Sequence, residues 1–174
     1  MTASGGRDSA AGSARVGVSF ELTGGEQLAR AIEAKAPYLT KGASVKVGFL
    51  EGVRYSATHP IRGTARKPLL VALVAFWQEF GTVRAPARPF LRTTIAKKSS
   101  EWGTILGKAM VYYKADTGKA LAALGTVMQS DIRSAIVNWS SPPNAPRTVK
   151  IKGFNDPLVD DGTMQRVVNY KVMS

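Results

Sequence analysis

The sequence predicts an α+β domain: a small antiparallel sheet of at least three strands packed against two or three helices, with a long loop and a flexible N-terminal arm. Three observations predict it. Short segments near Val16, Ser44 and Arg166 alternate apolar and polar residues, the pattern of half-buried strands. Segments around Leu73, Leu106 and Leu124 instead repeat apolar residues every three or four positions, as amphipathic helices do. Glycine and proline clusters separate the two kinds of segment. A chain of 174 residues is long enough for one domain with a real core.

Residues 1–15 are rich in Gly, Ser and Ala and carry no apolar side chain larger than alanine after Met1. They are expected to form a flexible arm, with a single domain over 16–174. The first strand is expected at 16–22, with Val16, Val18, Phe20 and Leu22 on one face, and Gly24-Gly25 ends it. Residues 26–36 read as a short helix through Leu28, Ile32 and Ala36, stopped by Pro37. A second strand at 44–50 turns Val45, Val47 and Phe49 inward and is expected to pair with the first. Residues 51–68, punctuated by Gly52, Pro60, Gly63 and Pro68, read as a long exposed loop in which His59 faces solvent.

A helix is expected over 69–80, where Leu69, Leu73, Phe76, Trp77 and Phe80 make one apolar stripe that reads as core; Gly81 caps it. A longer helix over 90–114 carries Leu91, Ile95, Trp102, Ile105, Leu106, Ala109 and Tyr113. Gly103 and Gly107 weaken it by about 1 kcal/mol each relative to alanine unless close packing compensates. Asp116 or Thr117 caps the next helix, whose stripe runs from Leu121 through Leu124, Met128, Ile132 and Ala135 to Trp139. Pro142-Pro143 force the chain out of the helix, Pro146 opens one short helical turn through Lys152, and Gly153 stops it. After the turn-rich stretch 154–164, a last strand over 165–173 is apolar on both sides. It is expected to lie against helices on one face and against another subunit or helix on the other.

The inventory argues against several chemistries. The chain has no cysteine, which excludes disulfides, cysteine-ligated metals and thiol catalysis. His59 is the only histidine, too few for a zinc ligand cluster, and no poised serine accompanies it for a triad. Asp156, Asp160 and Asp161 lie close together but lack the ligand alternation of a calcium loop, and they suit turns and caps. Gly103-Thr-Ile-Leu-Gly-Lys-Ala has its glycines too close for a phosphate loop. No enzyme activity, cofactor, metal or small-molecule substrate is therefore expected. No apolar run reaches the roughly 20 residues of a membrane span, and the first residues lack the order of a secretory signal, so the protein is expected to stay where it is made.

The net charge of +12 attracts polyanions, which makes nucleic acid or an acidic protein a candidate partner. The basic residues are scattered rather than clustered. The most basic short stretch at mid-chain is the corner over 77–92, with Arg84, Arg88 and Arg92; together with Tyr55, Arg62 and Arg66 of the long loop these are the candidate interface residues. Two readings of the corner are open: it sets how subunits meet, or Phe80, Pro89 and Phe90 simply pack the core.

Taken in order, Glu79-Phe80-Gly81-Thr82 with Pro86-Ala87-Arg88-Pro89-Phe90-Leu91-Arg92, then Ser141-Pro142-Pro143-Asn144 with Lys152-Gly153, then Pro157-Leu158-Val159-Asp160-Asp161-Gly162-Thr163-Met164 ahead of a final strand, resemble the neck or tail-completion (head–tail joining) family of tailed bacteriophages. The resemblance extends over about 120 residues, from Val45-Lys46-Val47-Gly48-Phe49 to the C-terminus. It implies a non-enzymatic virion protein, present in the host cytoplasm during assembly. Such a protein forms a six-fold homo-oligomeric ring between the connector or adaptor ring and the tail terminator and tail-tube proteins, with DNA in the channel as a further contact. On that basis Phe80, Gly81, Thr82, Pro86, Pro89, Phe90, Pro142, Pro143, Asn144, Asp160 and Gly162 are structural motif residues. The alternative reading is a basic nucleic-acid-binding module.

Overall fold

The computed structural model describes residues 43–50, 52–59, 63–65 and 67–173, all within the unit Lys35–Ser174. The arm over 1–15, the strand over 16–22, the helix over 26–36, Arg62 and Arg66 lie outside the described residues. The elements in order are β1 (Ser44–Phe49), α1 (Val71–Phe80), α2 (Phe90–Tyr112), α3 (Thr117–Val137), α4 (Pro146–Lys152), α5 (Thr163–Val167) and β2 (Val168–Met173). The class is α+β, as expected. Among the described residues the sheet has two strands, β1 and β2, antiparallel with Ser44 opposite Met173 and Phe49 opposite Val168. The described partner of β1 is thus the C-terminal strand, and pairing with residues 16–22 falls outside the described residues.

Both strands pack on α3. Val45, Val47 and Phe49 alternate with exposed Ser44 and Lys46, and buried Val168 and half-buried Tyr170 and Val172 alternate with exposed Asn169 and Lys171. The outer face of the last strand carries exposed Asn169 and Lys171 with half-buried Met173 at its end, so it is largely polar where an apolar face was expected. The reason is local: α5 takes up Val167, so the alternation begins at Val168 and points Asn169 and Lys171 outward. At the centre of this packing a Cβ on Gly125 of α3 would come within 2.4 Å of the Tyr170 ring. Gly125→Leu is expected to lose about 1–3 kcal/mol by overpacking, read as a lower urea midpoint with the far-UV circular dichroism of the native state retained.

Helices α2 and α3 form a hairpin joined by a tight turn in which Lys114 and Ala115 take positive φ of 51° and 65°. Asp116, rather than Thr117, is the N-cap: its carboxylate accepts a hydrogen bond from the Lys119 N–H at 3.0 Å, which holds the carboxyl below its ordinary pKa. Trp102 of α2 donates its indole N–H to Asp131 of α3 at 2.7 Å, tying the two helices together.

The core gathers Val71 and Ala75 of α1, Phe90 of α2, Ile132 and Ile136 of α3, Leu158, Met164 and Val168, with Phe49 edge-on to Phe90 at 6.2 Å. Helix α1 departs from the sequence expectation in its rotation. Its buried line is Val71, Ala75 and Glu79, whereas Leu73, Phe76, Trp77 and Phe80 are 38%, 55%, 38% and 55% exposed. Helical residues advance by about 100°, so a helix that turns position 79 inward turns 73, 76, 77 and 80 outward. The requirement for Glu79 inside, described below, fixes that rotation over the pull of the aromatic side chains. Phe76→Ser and Trp77→Ser are each expected to lower the unfolding free energy by only about 1 kcal/mol, through lost partial packing, against about 3–5 kcal/mol were these residues in the core; urea unfolding checks it.

Candidate functional site

Gly81 ends α1 with φ 78°, where its N–H reaches the Trp77 carbonyl at 2.8 Å, and a Cβ there would stand 2.8 Å from the Ala87 nitrogen. The chain then doubles back through a tight turn. Thr82 N–H donates to the Ala85 carbonyl at 2.8 Å, and Thr82 Oγ1 accepts from the Arg84 and Ala85 N–H groups at 3.3 and 3.0 Å. Val83 and Arg84 stand exposed at its tip, and Pro86 is exposed beside it.

Helix α2 begins at Phe90 with Pro89 as its N-cap residue, and proline has no side chain that could accept a hydrogen bond. The preceding helix supplies the missing acceptor. The Glu79 carboxylate, 3% exposed, accepts from the Leu91 N–H at 2.9 Å and the Arg92 N–H at 3.1 Å. It also accepts from Arg92 Nε at 2.9 Å, while Arg92 Nη2 donates to the Glu79 carbonyl at 3.0 Å. An anion at the first turn of a helix satisfies orphan donors and opposes the positive end of the helix dipole. The Arg92 guanidinium lies 4.8 Å over the Phe80 ring, so the same pair props one edge of the exposed aromatic stripe.

Arg88, read from sequence as an interface residue, is 6% exposed. Its Nη1 donates to Gln78 Oε1 at 2.7 Å, its Nε to the Pro142 carbonyl and its Nη2 to the Pro143 carbonyl, both at 3.0 Å. Its backbone N–H reaches the Gln78 carbonyl at 2.6 Å. Consecutive prolines present carbonyls but no N–H groups, and the fork of an arginine is the side chain that can satisfy two neighbouring carbonyls at once. Burial pushes the Arg88 guanidinium below its ordinary pKa, which still leaves it charged at neutral pH.

The third motif segment borders the same cavity as Gln78 and Asn144. Asn144 N–H donates to Asn155 Oδ1 at 3.0 Å, and Lys152 donates to the Asp156 carbonyl at 2.6 Å and to the Val159 carbonyl. Asp161 accepts from the Thr163 N–H at 2.8 Å, and Gly162 takes φ 76° with the Arg166 guanidinium 2.7 Å from where a Cβ would sit. Asp160 accounts for a residue the sequence reading misplaced. Its carboxylate is 3.0 Å from Nε2 of His59, which is 2% exposed rather than solvent-facing. The loop holding His59 is pinned by the Tyr55 N–H on the Leu69 carbonyl and the Val71 N–H on the Val53 carbonyl, each at 2.9 Å. Tyr55, expected at an exposed interface, is half-buried against the core for the same reason. A cavity of 440 Å³ beside it is bordered by Val74, Gln78, Asn144, Lys152 and Leu158.

Of the predicted interface residues among those described, then, Arg84 is exposed, Arg92 is exposed while bonded to Glu79, Tyr55 is half-buried and Arg88 is buried. The exposed face that sequence reasoning missed is Leu73, Phe76, Trp77 and Phe80. No helix among the described residues is long and apolar enough to cross a membrane. Comparison with family models, curated proteins and solved structures finds no significant match to this chain.

Proposed function

We propose that the protein is a structural virion component of the phage head–tail junction. In this reading it is a neck or tail-completion subunit that assembles as a six-fold ring between the connector and the tail tube. The observation that carries this reading is the convergence of the three motif segments on which the resemblance rests. Residues 79–92, 141–144 and 157–164 are far apart in sequence, yet Arg88 bonds the first to the second, Asn144 bonds the second to Asn155 just ahead of the third, and Gln78, Asn144 and Leu158 border one cavity. A shared set of segments that forms one structural unit supports shared architecture more strongly than the same segments scattered over the surface would. The exposed, basic Val83-Arg84 tip and the outward aromatic stripe suit a subunit that works by contact rather than by catalysis. A third strand from residues 16–22 belongs to this proposal, as does the position of the subunit in the virion.

Native mass spectrometry and negative-stain microscopy of the purified full chain, with and without isolated phage tails, test the reading. Rings, or binding to tails, without salt-dependent affinity for duplex DNA support it. A monomer that binds duplex DNA with a steep salt slope contradicts it and favours the nucleic-acid-binding alternative that the charge of +12 suggests.

A further inference from the structure

We infer that the outward face of α1, formed by Leu73, Phe76, Trp77 and Phe80 and edged by Arg84 and Arg92, is a docking surface for a partner protein that presents apolar side chains within an acidic rim. The four apolar residues fall at positions i, i+3, i+4 and i+7, so they form one continuous ridge rather than isolated exposed side chains. Phe76 and Phe80 already touch, their ring centroids 4.7 Å apart, which presents a preordered aromatic surface. Trp77 is 38% exposed, whereas Trp102 is 6% exposed inside the helical hairpin. A ridge of large aromatic side chains held by a helix, with arginine at its edge, has the composition of binding hot spots.

Charge decides what covers it. The carboxylates of Glu79, Glu101, Asp116, Asp131, Asp160 and Asp161 are each engaged with a donor of this chain. They are therefore committed internally. Arg84 stands exposed at the tip of the turn that follows Gly81, and the Arg92 side chain is 58% exposed while stacked on the Phe80 ring. A second copy would bring its own +12 charge to this cationic rim, and of its described carboxylates only that of Asp156 lies outside these contacts. Like-charge juxtaposition across an interface is costly, and an acidic partner gains where a second copy loses. The inference does not depend on the virion reading: the ridge and its rim are properties of the subunit itself.

Two fluorescein-labelled amphipathic peptides with the same Leu/Phe face, one with Glu and one with Lys on the other face, are titrated against the full chain by fluorescence anisotropy, and unlabelled copies are used for tryptophan emission. The Glu peptide is expected to bind at least 10-fold more tightly than the Lys peptide. Its binding is expected to weaken at least 10-fold in Phe76→Ser and Trp77→Ser, and several-fold in Arg84→Glu. Binding should also shift the emission of the wild-type protein, and that shift should be lost in Trp77→Phe. Circular dichroism of each variant, expected to be unchanged, separates loss of the surface from loss of the fold. Absence of Glu-peptide binding, equal affinity for the two peptides, or undiminished binding by folded Phe76→Ser and Trp77→Ser each overturns the proposal. So does self-association in sedimentation that Trp77→Ser abolishes, which assigns the face to a second copy, or duplex DNA binding abolished by the same change, which assigns it to nucleic acid.

Discussion

Arg88→Ala is expected to be the most destabilising single exchange in the corner, lowering the unfolding free energy by about 3–5 kcal/mol. The side chain is buried, and its donors satisfy Gln78 Oε1 and the carbonyls of Pro142 and Pro143. Truncation leaves those acceptors enclosed without a donor and opens a void between α1 and the 141–144 segment. An unpaired buried acceptor costs about 1–3 kcal/mol, and part of the loss is recovered by water entering the gap, so the total falls short of the sum. Arg88→Lys should restore little, because an ammonium group cannot span two carbonyls and an amide with the geometry of a guanidinium fork. Thermal or urea unfolding measures both. For a domain whose stability is in the ordinary range of about 5–15 kcal/mol, the alanine variant approaches the threshold of folding.

Glu79→Ala is expected to cost about 2–4 kcal/mol, through loss of the acceptor that caps α2 and loss of the anchor for Arg92. The carboxylate serves the Leu91 and Arg92 N–H groups of α2, while the Phe90 N–H reaches the Arg88 carbonyl and Pro89 contributes no side-chain acceptor. Glu79→Gln keeps an acceptor of similar shape but removes the charge that faces the helix dipole and the Arg92 guanidinium. It should fall between wild type and alanine. Combining Glu79→Ala with Arg92→Ala should cost less than the two single losses added together, because both act through one contact. A double-mutant cycle by urea denaturation reads this coupling, and strict additivity would mean that Glu79 and Arg92 act independently.

The two groups share a lesson about what a linear sequence discloses. Local signals were legible. Gly81 after an apolar helix, Asp116 ahead of a helical stripe, Pro146 and Gly153 bounding a short helix, and alternation in 44–50 all act through nearest neighbours, and each acts as expected in the structure. The helical stripes of α2 and α3 were legible in large part, with Trp102, Ala109, Leu121, Leu124 and Ile132 buried as their spacing implies, although Ile95 is 49% exposed.

What the pattern could not disclose was the rotation of α1 and the direction of Arg88. Hydrophobicity alone turns Phe76, Trp77 and Phe80 inward. The structure instead turns Glu79 inward, where its carboxylate caps a helix starting eleven residues later, and leaves those aromatic residues exposed. A hint existed: Pro89 at the start of a helix leaves its first donors without a local cap, which makes a nearby acidic residue a candidate to supply it. Arg88 carried a similar hint, lying between prolines with the Pro142-Pro143 pair in the same motif set, yet the pairing spans 54 residues and requires the fold to bring the partners together. The burial of His59 against Asp160, 101 residues away, left no local trace at all.

Arg88 faces inward as a structural clamp while the Phe76–Trp77 face of α1 turns outward. Urea unfolding of Arg88→Ala beside the double variant Phe76→Ser/Trp77→Ser tests it most directly. A large loss of stability is expected for Arg88→Ala and a clearly smaller one for the double variant. A double variant that loses several kcal/mol beside an Arg88→Ala variant as stable as the wild type would contradict it.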